Sequence, residues 1–154
     1  MPLFDRPVSS RLLWPLEARW PQRRARTLIN RFQVQWPELA YDMDLGVQLA
    51  NAQAFLDQGT RRIRLYGGLV RHRRIGTAGL AVALAHETGH HLGGPPFLPY
   101  MKWLSSEERA DEWAATVGLS EVFGSALADR ILRAGRKQLA ALVPEHVCRI
   151  VDFW

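Results

Sequence analysis

Residues 80–94 read Leu-Ala-Val-Ala-Leu-Ala-His-Glu-Thr-Gly-His-His-Leu-Gly-Gly. The apolar approach predicts a helix, and Gly93-Gly94-Pro95-Pro96 ends it about one turn after His90. His86-Glu87-Thr88-Gly89-His90 spells H-E-x-x-H. On a helix, positions i and i+4 share a face, so His86 and His90 can present two imidazole nitrogens to one tetrahedral zinc. Glu87 stands beside the first ligand, where it can take a proton from a water activated by the metal and pass it to a leaving amine. A buried apolar helix carrying these groups without a metal would be costly, because each polar group needs a partner. Short motifs also arise by chance, so the context has to supply the rest of the site.

A catalytic zinc site has three protein ligands and an open position. In the three-histidine continuation, H-E-x-x-H-x-x-G-x-x-H, Gly93 fits, but Pro96 occupies the third-ligand position and cannot bind a metal. The next segment, Ser105 to Ala115, opens like a helix and offers four acids, Glu107, Glu108, Asp111 and Glu112. Ser105 with Glu108 reads as a capping box. Ala110, Trp113, Ala114 and Val117 form the inward stripe. Glu107 and Asp111 flank that stripe one turn apart, while Glu108 and Glu112 lie further towards solvent. Glu107 is therefore the expected third ligand. Asp111 is expected to accept a hydrogen bond from the free ring N–H of a ligand histidine. Taken alone, the acid run also reads as a solvated first turn with favourable charge.

H-E-x-x-H followed on a separate helix by Glu107-Glu108-Arg109-Ala110-Asp111 resembles the gluzincin metallopeptidases of the HtpX type. Asn51-Ala52-Gln53-Ala54 and Tyr66-Gly67-Gly68-Leu69-Val70 extend the resemblance, which covers about residues 46 to 118. It implies a zincin-like α+β domain: a small, mostly antiparallel sheet packed on the H-E-x-x-H helix, with a helical C-terminal half. It implies zinc, held by His86, His90 and Glu107, with Glu87 as acid and base, and hydrolysis of a peptide bond in a protein or peptide substrate. In such a fold the strand near the metal offers its free edge to an extended substrate. Tyr66, Gly67 and Gly68 are the expected substrate contacts there, with the glycines allowing close backbone approach; alternatively they only shape a bulge. The chain departs from the HtpX type in having no membrane-spanning run, in its short length and in the short gap between the two motifs.

The rest of the chain fits one domain over residues 1–154. Pro21 opens a helix whose stripe is Ala25, Leu28, Ile29 and Phe32. Phe32, Val34 and Trp36 alternate, so a short strand is expected before Pro37. Residues 47–66 read as a hairpin turning at Asp57-Gln58-Gly59-Thr60, with an amphipathic helix from Leu45 to Leu56 as the rival. Residues 94–100 read as a stiff loop between the two metal helices, lining the cleft. Beyond Ala114 the chain reads as helical to its end. Val122, Leu127, Ile131 and Leu132 form one stretch, Leu139, Leu142 and Val143 a second. After Pro144 comes a last helix with Val147, Ile150, Val151 and Phe153, and Cys148 is read as core. A donor opposite the zinc could come from Tyr66, Tyr100, His72 or His146.

A single cysteine excludes an internal disulfide. Residues 1–6 lack the features of a signal peptide, and no apolar run reaches span length, so no membrane association and a cytoplasmic location are expected. The first 74 residues carry 13 arginines against six acids, whereas the remainder carries seven basic residues against nine acids. A basic half of this kind suits weak binding of nucleic acid. Two alternatives to a plain peptidase follow. One is a nucleic-acid-associated protease similar in role to SprT-like enzymes, although those use a third histidine where this chain has Glu107. The other is a non-catalytic zinc-binding module, which would have no use for Glu87. A repressor-cleaving protease of the ImmA/IrrE kind is a near relative of the first reading, without a helix-turn-helix in the chain to support it.

Overall fold

A computed structural model describes residues 7–142. The sequence readings at Met1–Arg6 and at Val143, Pro144, His146, Val147, Cys148, Ile150, Val151 and Phe153 fall outside the described residues. A 3-10 turn, Ser10–Leu12, leads into α1, Arg19–Gln35. α1 buries Pro21, Ala25, Leu28, Ile29 and Phe32. The expected strand at Phe32–Trp36 is absent, because Phe32 continues the helical stripe one turn after Leu28. The amide of Trp36 then closes the helix on the Phe32 carbonyl at 2.9 Å.

Three strands follow: β1, Ala40–Asp44; β2, Ala52–Asp57; and β3, Thr60–Tyr66. Their order is β1-β3-β2. β1 runs parallel to β3, and β2 runs antiparallel to it. The hairpin prevails over the rival helix. Gln58 and Gly59 take positive φ values of 49° and 82°, the two-residue turn whose twist matches the flanking strands. Ala52, Ala54, Ile63 and Leu65 point into the core. Gln53, Arg64 and Tyr66 occupy the opposite pleat. That outer face is tied by Arg64 and Asp42, whose Nε–Oδ1 separation is 2.6 Å. β1 went unread in the sequence, although Tyr41 and Met43 alternate with Asp42 and Asp44.

A short helix, α2, Gly67–Val70, turns the chain towards α3, Thr77–Leu92. α3 is buried over its whole length from Gly79 to His91, so it forms the centre of the molecule rather than a surface helix. A two-stranded hairpin follows, β4, Phe97–Leu98, and β5, Met101–Ser105. It replaces the expected loop. Next come α4, Glu107–Trp113, a π-helical stretch, Ala114–Gly118, and α5, Leu119–Phe123. The wider π turn advances the helical phase. Val117, expected inside, is 40% exposed, while Gly118 and Leu119 are buried. Gly124, at φ 80°, breaks the chain before α6, Ser125–Ala140. α6 thus joins residues read as two stretches, with Leu127 exposed and Leu139 buried. The architecture is α+β with a small, mostly antiparallel set of strands. Among the described residues no helix is long and apolar enough to cross a membrane.

α6 does more than cover α3. The N-cap of α3 is Gly76, which has no side chain to cap with. Gln138 of α6 supplies the acceptor: its Oε1 takes the amides of Gly76 at 2.9 Å and Gly79 at 2.8 Å. Those amides are orphan donors of a helix start. Replacing Gln138 with Ala should lower the unfolding free energy by about 1–2 kcal/mol, the usual loss of a helix cap. Gln138→Glu keeps an acceptor and should lose less; urea denaturation of both variants measures the difference.

Candidate metal centre

The polar groups of α3 lie deep in the structure, so each must be accounted for. Thr88 Oγ1 donates to the Leu84 carbonyl at 2.7 Å and meets the Tyr41 hydroxyl at 2.8 Å. His91 Nε2 donates to the Arg62 carbonyl at 2.9 Å, which turns this ring to the sheet and out of the site. His86 and His90 face the other way, with ring centroids 4.8 Å apart and planes at 89°. Their Nε2 atoms converge on one oxygen. Glu107 Oε2 lies 3.1 Å from His86 Nε2 and 3.4 Å from His90 Nε2. The three ligating atoms all lie within 4.8 Å of one another. Ligands at about 2.0–2.1 Å from a tetrahedral ion are separated by about 3.3–3.4 Å. The two imidazole–carboxylate distances already match that edge. A buried group of two imidazoles and one carboxylate can therefore hold a metal ion.

Local chain geometry brings Glu107 to this point. The hairpin returns the chain so that Ser105 lies against His90, whose Nδ1 donates to the Ser105 carbonyl at 2.7 Å. A carbonyl only accepts, so Nδ1 carries the proton and Nε2 is left for a metal. Ser106, not Ser105, caps α4, accepting the Arg109 amide at 3.2 Å. The expected box of Ser105 with Glu108 does not form and only a single serine cap remains, because Ser105 is still strand and its hydroxyl donates to the Gly94 carbonyl at 2.7 Å. Arg109 Nε donates to the Gly93 carbonyl at 2.6 Å, fastening the end of α3 to the start of α4. α3 and α4 touch through Gly89: a β-carbon there would lie 2.6 Å from the Ala110 carbonyl oxygen.

Burial pulls the His86 imidazole down to about 4. At His90 burial acts in the same direction, but Glu107, Glu87 and the Ser105 carbonyl outweigh it and raise the ring to about 9. Glu107 is opposed by burial yet held well below the carboxylate range by the two histidines. Without a metal the cluster therefore holds a proton on His90 and a charge on Glu107, and a cation would take that proton's place. Glu87 is 4% exposed, and burial raises its carboxyl to about 7. The Ala54 amide of β2 lies close enough to act against that rise by favouring its charge. β2 is an outer strand of its sheet, and the Asn51 carbonyl already receives the Tyr66 amide of β3. By alternation Ala52, Ala54 and Leu56 turn their backbone groups to the free edge. Glu87 therefore lies at that edge.

No protein family, curated protein or solved structure matches the chain.

The remaining sequence-read positions fall elsewhere. Asp111 makes no hydrogen bond to His86 or His90. It faces Arg136 of α6 at 3.5 Å, and its Oδ1 is buried without a hydrogen-bond partner. Burial holds its carboxyl above the ordinary value, with Arg136 acting against that. Ser105 takes the place expected of Asp111 at His90, because strand β5 reaches α3 first. Tyr66 stands on the sheet face turned from α3 and donates to Gln53 Oε1 at 2.7 Å. Gly67 and Gly68 are buried against the backbone of Leu45 and Leu49, where any side chain would collide. This close approach packs the 45–49 segment against them. Tyr100 is 69% exposed on the β4–β5 turn, and His72 is buried beside Leu13, its Nδ1 accepting the Arg74 amide. His146 lies outside the described residues. The contacts of Ser105, Arg109 and Ala54 with the site went unread. A small residue between the two histidines, Gly89, was the available sign of a helix packed closely over the site.

Gly89→Ala should push α4 and Glu107 outward. The expected result is loss of metal retention, read by elemental analysis, with a fall of about 1–3 kcal/mol in stability from overpacking.

Proposed function

We propose that this chain is a zinc-dependent peptidase with a zincin-like domain of the gluzincin type. One observation carries the reading: a single carboxylate oxygen of Glu107 lies within reach of both His86 Nε2 and His90 Nε2, while the carboxyl of Glu87, next in sequence, lies at a free strand edge. The donor set of two histidines and one glutamate suits zinc at a catalytic site. Zinc held there would polarise a scissile carbonyl and make water acidic near neutral pH.

The protein's own groups supply the rest. Glu87, raised to about 7, can both accept and release a proton near neutrality. The Ala54 amide of the edge strand lies near it and favours its charged form. It takes a proton from the attacking water and returns it to the departing amine nitrogen. The β2 edge suits an extended polypeptide, which can pair with the backbone of Ala52 and Ala54 as an added strand. The Ser105 carbonyl keeps His90 in the tautomer that leaves Nε2 available. A metal serving structure alone would need no acid–base group at a strand edge.

Metal content and hydrolysis of unstructured casein test the reading together. The wild type should hold about one zinc per chain, which Glu107→Ala loses and Glu108→Ala keeps. Glu87→Gln should retain zinc and lose activity by roughly 10²–10⁴-fold, the usual contribution of a positioned acid–base group. Full activity in Glu87→Gln would exclude this mechanism, and absence of zinc from the reloaded wild type would exclude the peptidase.

A further inference from the structure

A second feature lies at the other end of α3. α1 carries five arginines and no acid. Its apolar stripe is buried in the core, which leaves Arg19, Arg23 and Arg26 exposed on its outer side. Successive members of this row are one helical turn apart, about 5–6 Å. Beside it, the turn at 71–74 adds Arg71 and Arg73. Two tryptophans join helix and turn. Arg24 lies 5.0 Å over the ring of Trp20, Trp20 meets Trp14 edge-on at 5.3 Å, and Arg73 lies 4.1 Å over Trp14. The Trp14 amide donates to the Arg71 carbonyl at 2.8 Å, and Arg71 Nη1 donates to the Trp14 carbonyl at 3.1 Å.

Arg71 is the unusual member. It is 3% exposed, and its Nε and Nη2 are buried without an acceptor among the described residues. Glu17 is close enough to favour its charge but forms no ion pair with it among the described residues. Nor do Arg19, Arg23, Arg24, Arg26 or Arg73 pair with a carboxylate among the described residues. The half-buried arginines of the sheet, Arg62 and Arg64, do have such partners in Asp57 and Asp42, whereas exposed Arg61 meets only the His91 carbonyl among the described residues. A row of exposed guanidinium groups without counter-charges, with a further uncompensated one buried at its end, is complementary to a polyanion whose oxygens accept forked hydrogen bonds.

We infer that this face binds the phosphate backbone of a nucleic acid, with Arg19, Arg23 and Arg26 following successive phosphates, Arg73 holding the end over Trp14, and buried Arg71 adding positive charge beneath it and bracing Trp14 through its carbonyl. A lipid surface fits less well. The apolar side of α1 is committed to the core and cannot enter a bilayer, and both tryptophans are braced by arginines. The turn at 71–74 precedes α3, whereas His86 lies nine residues beyond the first residue of that helix, about 14 Å along its axis. This site is independent of the metal cluster and of the peptidase reading.

The test is fluorescence anisotropy with a labelled mixed-sequence DNA duplex, titrated between about 50 and 200 mM salt. The wild type should bind, with affinity falling linearly in log salt. Arg23→Gln/Arg26→Gln should weaken binding by about tenfold or more at the lowest salt and reduce the slope by about two, one for each phosphate no longer neutralised. Arg71→Met should also weaken it; the exposed double variant decides the matter if Arg71→Met does not fold. Arg130→Gln/Arg133→Gln, on α6, should bind as the wild type does. Absence of binding at the lowest salt, an unchanged double variant, or an equal loss in the α6 control would each overturn the proposal. So would preference for phosphatidylserine vesicles or polyglutamate over the duplex. Zinc content, measured on the same preparations, should be the same in all variants, so failure here is distinct from failure of the metal site.

Discussion

A helix buried on every side pays heavily for polar groups left unsatisfied, and the last two turns of α3 carry His86, Glu87, Thr88, His90 and His91. The surrounding structure meets each of these side chains, leaving His91 Nδ1 without a hydrogen-bond partner among the described residues. The sheet receives His91 through the Arg62 carbonyl and Thr88 through Tyr41. The edge strand meets Glu87 through Ala54. The β4–β5 hairpin meets His90 through Ser105, and α4 brings Glu107 to both histidines. Placement of these elements around α3 follows from the cost of burying imidazole and carboxylate groups without partners. The same placement leaves three ligating atoms converging on one point.

That convergence depends on how closely α3 and α4 approach. Gly89 removes the β-carbon that would hold them apart, and Arg109 ties the end of one helix to the beginning of the other. Glu107 sits in the first turn of α4, immediately after the cap. It therefore moves with the hairpin as much as with its own helix. The N-terminal end of α3 is secured differently, by a glutamine side chain from α6 in place of a local cap. The two ends of the central helix thus serve different surroundings. One is a buried cluster of titratable groups, the other a face crowded with arginines.

Much of this was legible in the chain. The helix at 77–92, the hairpin turning at Gln58-Gly59 and the helical C-terminal half all follow from local signals: an apolar run ended by glycine and proline, period-two alternation, and period 3.6. His86, Glu87 and His90 are fixed by their spacing on one helix. Glu107 was accessible because helical phase separates it from Glu108. The errors share a cause. Phe32–Trp36 alternates, but a helical stripe already running through Leu28 and Ile29 outweighed so short a pattern. Val117 was placed inside by a regular helix, and the π turn displaced it. Ser105 was read as a cap, one residue early, because nothing local marks where β5 ends.

Local sequence determined which residues lie on one face of one element, because the periods of helix and strand are properties of the backbone. It therefore determined two histidines and an acid side by side, and a row of arginines on one helix. Only the tertiary structure decided what those faces meet. Asp111 lies one turn from Glu107 and shares its face, yet it reaches Arg136 and not a histidine, since the crossing of α4 with α3 and α6 selects its neighbour. Tyr66 ends the strand beside the hairpin, yet the pleat turns it from the site. Contacts between elements depend on distances across the core, which no interval along the chain encodes.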